Sequence, residues 1–290
     1  MSAFADKPRP AFTQHPAYRK GVELYRLDME DLAASEWLRL INCEHFAAPA
    51  NKPNGWRCAL HPDPGADFLA MHFRMAGQYH LADRFFRRRG AIAGNLEFSA
   101  KTAHNWYLAY PLAYWDHVKV QAKKNKMDPA MVYGVMREES TFNPRTQSFS
   151  NAYGLMQLIM PTAKQVARQV FPRQSMDPET LYRPEINIAL GTRYLRMLVK
   201  QFQREPVAIP GYNAGPLWVK RWLQRNPQLP FDEWVEAISI QQTRRYARYV
   251  LQSYATYRFL YGHLMEPRRT MLSIQPWWQP GSLLQREKQD

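Results

Sequence analysis

Apolar residues recur at helical spacing through most of this sequence, and the strict alternation of a half-buried strand is nearly absent. A chain patterned this way is confined to packing helix on helix, so the expected fold class is mainly α. Asp28 is expected to cap a helix whose buried stripe runs Ala33, Trp37, Leu40 and Ile41. A second pair flanks Gly77, with Phe68, His72 and Met75 before it and Ala82, Phe85 and Phe86 after it. Pro111 should break the segment from Trp106 to Val120. Downstream, helices are expected from Thr162 as a cap through Val170, from Pro184 to about Phe202, from Leu217 to Leu223, and from Thr243 to Tyr261. The last carries Tyr246, Tyr249, Val250, Ser253 and Tyr257 on one side.

Breaks in this pattern give the domain plan. Residues 1–19, with Pro8, Pro10 and Pro16, read as an extended arm, and residues 20–125 as a domain of short helical hairpins. The basic stretch Lys123-Lys124-Asn125-Lys126 marks the boundary, a second domain occupies 126–265, and 266–290 form a tail containing Gln275-Pro276-Trp277-Trp278-Gln279-Pro280.

The chain has 290 residues, 46% of them hydrophobic, and a formal net charge of +14. Such a charge attracts something anionic, whether nucleic acid, anionic lipid or an acidic wall polymer, while individual clusters such as Arg87-Arg88-Arg89 also fit a solvated surface. No apolar run approaches the roughly 20 residues that span a bilayer. The opening Met-Ser-Ala-Phe-Ala-Asp-Lys-Pro has no apolar centre of a secretory signal. If the target lies outside the cytoplasm, either a signal and further sequence have been removed or another secretion system carries the chain, and a fragment is the expectation. Cys43 and Cys58 flank a loop with Pro49, Pro53 and Gly55, a spacing that permits a disulfide in an oxidising compartment without establishing one. No histidine pair has metal-ligand spacing, and no cofactor is expected.

The residue that suggests chemistry is an acid in the wrong place. Asp128-Pro129 makes a strong helix start, with a capping carboxylate followed by a proline whose missing N–H costs nothing there. The apolar stripe of that helix is Val132, Val135 and Met136, and its next position is Glu139. Arg137 and Glu138, rotated away, should face water. A carboxyl held against apolar groups is harder to ionise, so its pKa rises and it can donate a proton to a leaving oxygen near neutral pH. An end-of-helix glutamate paired with an arginine would explain the same position without any chemistry.

Three motifs in order decide between these readings. The helix stops at Phe142-Asn143-Pro144, and the run Glu139-Ser140, Asn143-Pro144, Ser148 is followed by Gly154-Leu155-Met156-Gln157 and, later, Gly211-Tyr212-Asn213-Ala214-Gly215-Pro216. This series resembles the catalytic domain of soluble lytic murein transglycosylases, from about Lys126 to Gly262, and Pro111-Leu112-Ala113-Tyr114 resembles the end of the helical linker that precedes it. The resemblance implies a goose-type lysozyme-like helical catalytic domain behind a small helical linker domain. It implies non-hydrolytic cleavage of the β-1,4 bond between N-acetylmuramic acid and N-acetylglucosamine in peptidoglycan, leaving a 1,6-anhydro end, with Glu139 as the single acid and base. It further implies that Ser148 and Gln157 contact sugar substituents, that Met156 lies in the groove wall, that Tyr212 bonds near Glu139 to orient it, and that Asn213 braces its loop. The expected location is the periplasm or cell envelope, and the expected partner is the glycan strand, with no nucleic acid.

One feature of the residues agrees independently. Hydrolytic glycosidases usually need a second carboxylate, and no Asp or Glu occurs between Thr141 and Tyr153, the next acid being Asp177. The series also departs from the family. Ile159 stands where methionine is common, with Met160-Pro161 one place later; Pro210 stiffens the stretch before Tyr212; and Gln242 takes a position usually held by glutamate, keeping shape and losing charge. A hydrolytic lysozyme on the same fold, and a scaffold that binds glycan without cutting it, remain open on the residues alone.

Overall fold

The computed structural model describes residues 11–40, 64–88, 98–99 and 103–265. These form two compact units divided between Ala113 and Tyr114. The mainly α class is borne out: among the described residues the only strands are two of two residues each.

The first unit contains α1 (Pro16–Arg26), α2 (Glu30–Arg39), α3 (Pro64–Met75), α4 (Tyr79–Arg88) and α5 (Ala103–Ala109). Pro16, expected to interrupt regular structure, instead opens α1 behind a His15 cap whose Nδ1 accepts from the Ala17 N–H, because a first-turn proline gives up no helical hydrogen bond. Trp37 is fully buried with Ala33 and Leu40. Its indole meets the His72 and Phe73 rings edge-on. Asp28 does not cap α2; it takes a left-handed φ of 56°, and Met29 is the cap. Of the expected stripe before Gly77, Met75 is exposed. Ile41, Cys43, Cys58, Arg89 and the tryptophan tail lie outside the described residues, as do the side chains of Phe85, Phe86, Arg87 and Arg88.

The second unit opens with α6 (Trp115–Asn125), so the compact units part upstream of the basic stretch expected to separate the domains. It continues through α7 (Pro129–Ser140), β1 (Ala152–Tyr153), β2 (Leu158–Ile159), α8 (Met160–Val170), α9 (Pro178–Tyr182), α10 (Pro184–Phe202), α11 (Glu205–Ala214), α12 (Pro216–Arg225), α13 (Phe231–Glu236) and α14 (Gln241–Tyr261). β1 and β2 pair antiparallel. The chain leaves β2 extended at Ile159 and enters α8 with Pro161 in the first turn, so Thr162 lies inside the helix it was expected to cap.

At the centre α7 lies against α14 and α10 against α6 and α11. Helices α7 and α14 come together at Gly134, where an added Cβ would stand 2.9 Å from the Val250 carbonyl oxygen. Their side chains lock in register along the seam. Ser253 Oγ donates to Glu138 Oε1 at 3.2 Å, and near the other end of α7 Tyr254 Oη and Arg258 reach Asp128 Oδ2 at 3.4 and 3.6 Å. Tyr133 and Tyr257 stack between them, with centroids 4.7 Å apart. Tyr246, Val250, Ser253 and Tyr257 are buried as expected, whereas Tyr249 is exposed. This packing also overturns one expectation. Arg137 is buried, and Glu138, which accepts from Ser253 of α14, is half-buried, where the apolar stripe alone leaves both to water.

Candidate active site

Helix α7 is started by the capping bond from the Ala130 N–H to Asp128 Oδ1, 2.9 Å, with Pro129 in its first turn. Val132, Val135 and Met136 are fully buried, and the stripe ends at Glu139. Thr141 and Phe142 then turn left-handed, at φ 51° and 64°, and the buried Phe142 ring fixes the exit. The acid therefore stands at the end of a helix buried on nearly every side.

Glu139 remains half-buried, open on one side. Desolvation is nevertheless the largest influence on its carboxyl and, aided by the Glu138 charge, pushes the pKa up to about 8 against the opposing hydrogen bond from Tyr246. That bond, from Tyr246 Oη to Glu139 Oε1, is 2.6 Å long. Burial first, and the Glu139 charge second, hold the Tyr246 and Tyr212 phenols well above their usual pKa, so both stay protonated donors at neutral pH. Reading the sequence placed Tyr246 only on one side of the last helix, with no link to the acid.

Tyr212 comes close enough to feel the Glu139 charge, but its hydroxyl donates to the Met156 carbonyl at 2.8 Å rather than to the acid. The orienting bond expected of Tyr212 is made by Tyr246. Nor is the stretch around Tyr212 a loop: α11 runs to Ala214 with Pro210 inside it. A proline there removes only the N–H that would reach the residue 206 carbonyl.

The Gly154-Leu155-Met156-Gln157 segment is held on three sides. Ser140 Oγ reaches the Leu155 carbonyl at 2.8 Å. Asn187 of α10, fully buried, accepts from the Met156 N–H at 2.7 Å and donates to the Tyr153 and Leu181 carbonyls at 2.8 and 2.7 Å. Gly154 has φ 78°, and a Cβ there would meet the Leu181 carbonyl and Asn187, so only glycine fits. Met156 is fully buried, its thioether against α10 at Gly191, so its side chain is core and not groove wall; its carbonyl is what faces Tyr212. Ile159 and Phe149 are exposed apolar side chains close by in the chain.

The remaining expected site residues are placed as follows. Gln157 uses its amide N–H groups on the Thr146 and Gly154 carbonyls, at 2.9 and 2.8 Å, leaving Oε1 as an acceptor. Ser148 Oγ accepts from the Ala152 N–H at 3.1 Å and keeps its own proton to donate. Asn213 Oδ1 accepts from the buried Thr243 Oγ at 2.7 Å, tying α11 to the start of α14. Gln242, in the first turn of α14, is exposed. Asp177 is engaged elsewhere: its Oδ1 caps α9 by accepting from the Thr180 N–H at 2.7 Å. No group of three or more His, Cys, Asp or Glu suited to a metal occurs among the described residues.

Residues 116–235 match the family model described as the transglycosylase SLT domain. Over that stretch the chain is similar to SLT domains. It is 27% identical over 277 residues to the soluble lytic murein transglycosylase of Salmonella typhimurium, covering 92% of this chain and 37% of that protein. It is 34% identical over 173 residues to a putative soluble lytic murein transglycosylase of Haemophilus influenzae, covering 59% of this chain and 28% of the relative. Among solved structures it is similar to the 70 kDa soluble lytic transglycosylase of Escherichia coli, with TM-score 0.69, 26% identity, and coverage of 95% of this chain and 40% of that one. A complex of the 70 kDa soluble lytic transglycosylase with bulgecin A matches with TM-score 0.71 and 26% identity, covering 95% of this chain and 40% of that chain. The chain thus has the lysozyme-like helical fold of these proteins, and it spans well under half the length of the relatives it matches. No described helix is long and apolar enough to cross a membrane.

Proposed function

We propose that this chain is a lytic transglycosylase that cleaves the β-1,4 bond between N-acetylmuramic acid and N-acetylglucosamine in peptidoglycan, with Glu139 as its single acid and base. The observation that carries the reading is a carboxyl at the end of a buried helix, with a pKa of about 8 and a phenol bonded to one of its oxygens. At pH 7 most of it is protonated and ready to donate.

Glu139 gives its proton to the glycosidic oxygen as the C1–O bond breaks, and the carboxylate so formed accepts from Tyr246. It then takes the proton of the muramic acid C6 hydroxyl as O6 closes on C1, restoring the acid and leaving a 1,6-anhydro ring. No water enters, so atoms balance with one carboxyl. The carboxyl-free stretch from Thr141 to Tyr153, and the use of Asp177 as a helix cap, support this route over one needing a second carboxylate. Ser148 as donor and Gln157 Oε1 as acceptor are the groups we assign to the sugar substituents, with the exposed Gln242 as a further assigned contact. Such a substrate places the protein in the periplasm or cell envelope.

Digestion of purified sacculi, with mass analysis of the released muropeptides, tests the proposal. Products lighter by one water than hydrolytic ones are expected, and none from Glu139→Gln. Hydrated reducing ends, or undiminished cleavage by Glu139→Gln, would reject it.

A further inference from the structure

Helix α12 follows the Tyr212-Asn213 segment directly and carries an aromatic and basic face that the proposed chemistry does not use. Trp218 is 41% exposed and lies parallel to Trp222, at 5.9 Å between ring centroids and 28° between planes. Trp222 is buried, and its Nε1 donates to Ser239 Oγ at 3.0 Å, so the outer indole rests on a fixed support. The Arg221 guanidinium sits 5.1 Å from the Trp218 centroid. Together with Gln224 and Arg225 these side chains line a depression of about 470 Å³. The helix contains no acidic residue, and neither Arg221 nor Arg225 forms an ion pair among the described residues.

We infer that this face is an accessory contact for the glycan strand, in which an N-acetylated sugar ring stacks on Trp218 while carboxylates of its lactyl group or peptide stem meet Arg221 and Arg225. The inference rests on the reading that the chain acts on peptidoglycan. An exposed indole costs solubility unless something apolar covers it, and the face of a sugar ring, lined with C–H groups, is such a cover. A planar guanidinium fork matches a carboxylate in two parallel hydrogen bonds. The Gln224 amide offers both a donor and an acceptor to an acetamido group. Trp218 stands a short stretch of chain beyond Tyr212, which no extended backbone could carry past about 20 Å, so one polymer can engage both places.

The test uses the full chain with Glu139→Gln, which keeps the polymer intact, and measures co-sedimentation with purified sacculi. Trp218→Ala, and separately Arg221→Gln with Arg225→Gln, should each weaken apparent affinity by about tenfold, the scale of one ring or charge contact. Trp218→Phe should retain most of it. Melting temperatures within about 2 °C of the parent would show that the variants fold. Unchanged affinity in both variants overturns the inference, and so does a loss seen with single-stranded DNA but not with sacculi. Cleavage by the chain with Glu139 intact is scored separately: loss of binding without any cleavage keeps the α12 contact and removes the reading of Glu139, and cleavage without loss of binding does the reverse.

Discussion

Ser140, the residue after the acid, and Leu155, in the segment that faces it, are joined by a 2.8 Å hydrogen bond. The same hydroxyl lies 3.2 Å from the Met136 carbonyl, one turn back, so a single O–H ties the end of α7 to the Gly154–Gln157 segment. Ser140→Ala leaves the Leu155 carbonyl without this donor in a buried place, and stability should fall by about 1–2 kcal/mol in denaturant titration. Sacculus cleavage should fall as well, because the acid and the segment opposite it are no longer held together.

The raised pKa of Glu139 makes stability depend on pH. Its unfolded value is 4.5 and its folded value about 8, so the folded state holds the proton more tightly. The stabilisation is complete below pH 4.5 and is lost as pH rises through 8. Glu139→Gln carries no such loss. Its melting temperature should match the parent near pH 4.5 and exceed it by roughly 2–6 °C at pH 8.5, by calorimetry. A constant difference at all pH values would refute the assignment.

Tyr246 lowers the Glu139 pKa against the larger upward push of burial. Tyr246→Phe should therefore move the alkaline limb of the kcat/KM profile to higher pH. It should also slow turnover about 10–100-fold, since the carboxylate loses the donor that steadies and aims it. A purely structural loss would lower the rate without displacing the limb, and the pH profile on soluble glycan fragments separates the two.

Gln242→Glu would place a carboxylate in the first turn of α14, which holds no acidic residue. The unsatisfied N–H groups there favour negative charge, so stability should rise by about 0.5 kcal/mol at low ionic strength and return to the parent value at high salt. Paired melts at two salt concentrations measure this directly.

How much of this was legible in the sequence depended on whether the cause was local. The start of α7 could be read because Asp128 and Pro129 act on the turn they begin, and the stripe to Glu139 because helical period is a local property. The half-burial of Glu138 could not, since its Ser253 partner comes from α14, far along the chain. Tyr246 stood on the correct side of a recognisable helix, yet no spacing joins positions 139 and 246; only the antiparallel seam through Gly134 does. Asn187 was missed for a related reason: within a helical run an asparagine signals nothing until its three partners arrive from β1, α9 and the Met156 segment. The loop expected around Tyr212 is helix instead, because α11 tolerates Pro210 at the cost of one hydrogen bond.

Because the acid sits on α7 while its phenolic donor and much of its cover come from α14, neither half alone makes a working proton donor. A chain still emerging from the ribosome, or clipped before position 246, would present Glu139 to water as an ordinary carboxylate, ionised at neutral pH. On the proposed chemistry, proton donation is thereby withheld until the last long helix has docked, a form of safety that needs no inhibitor.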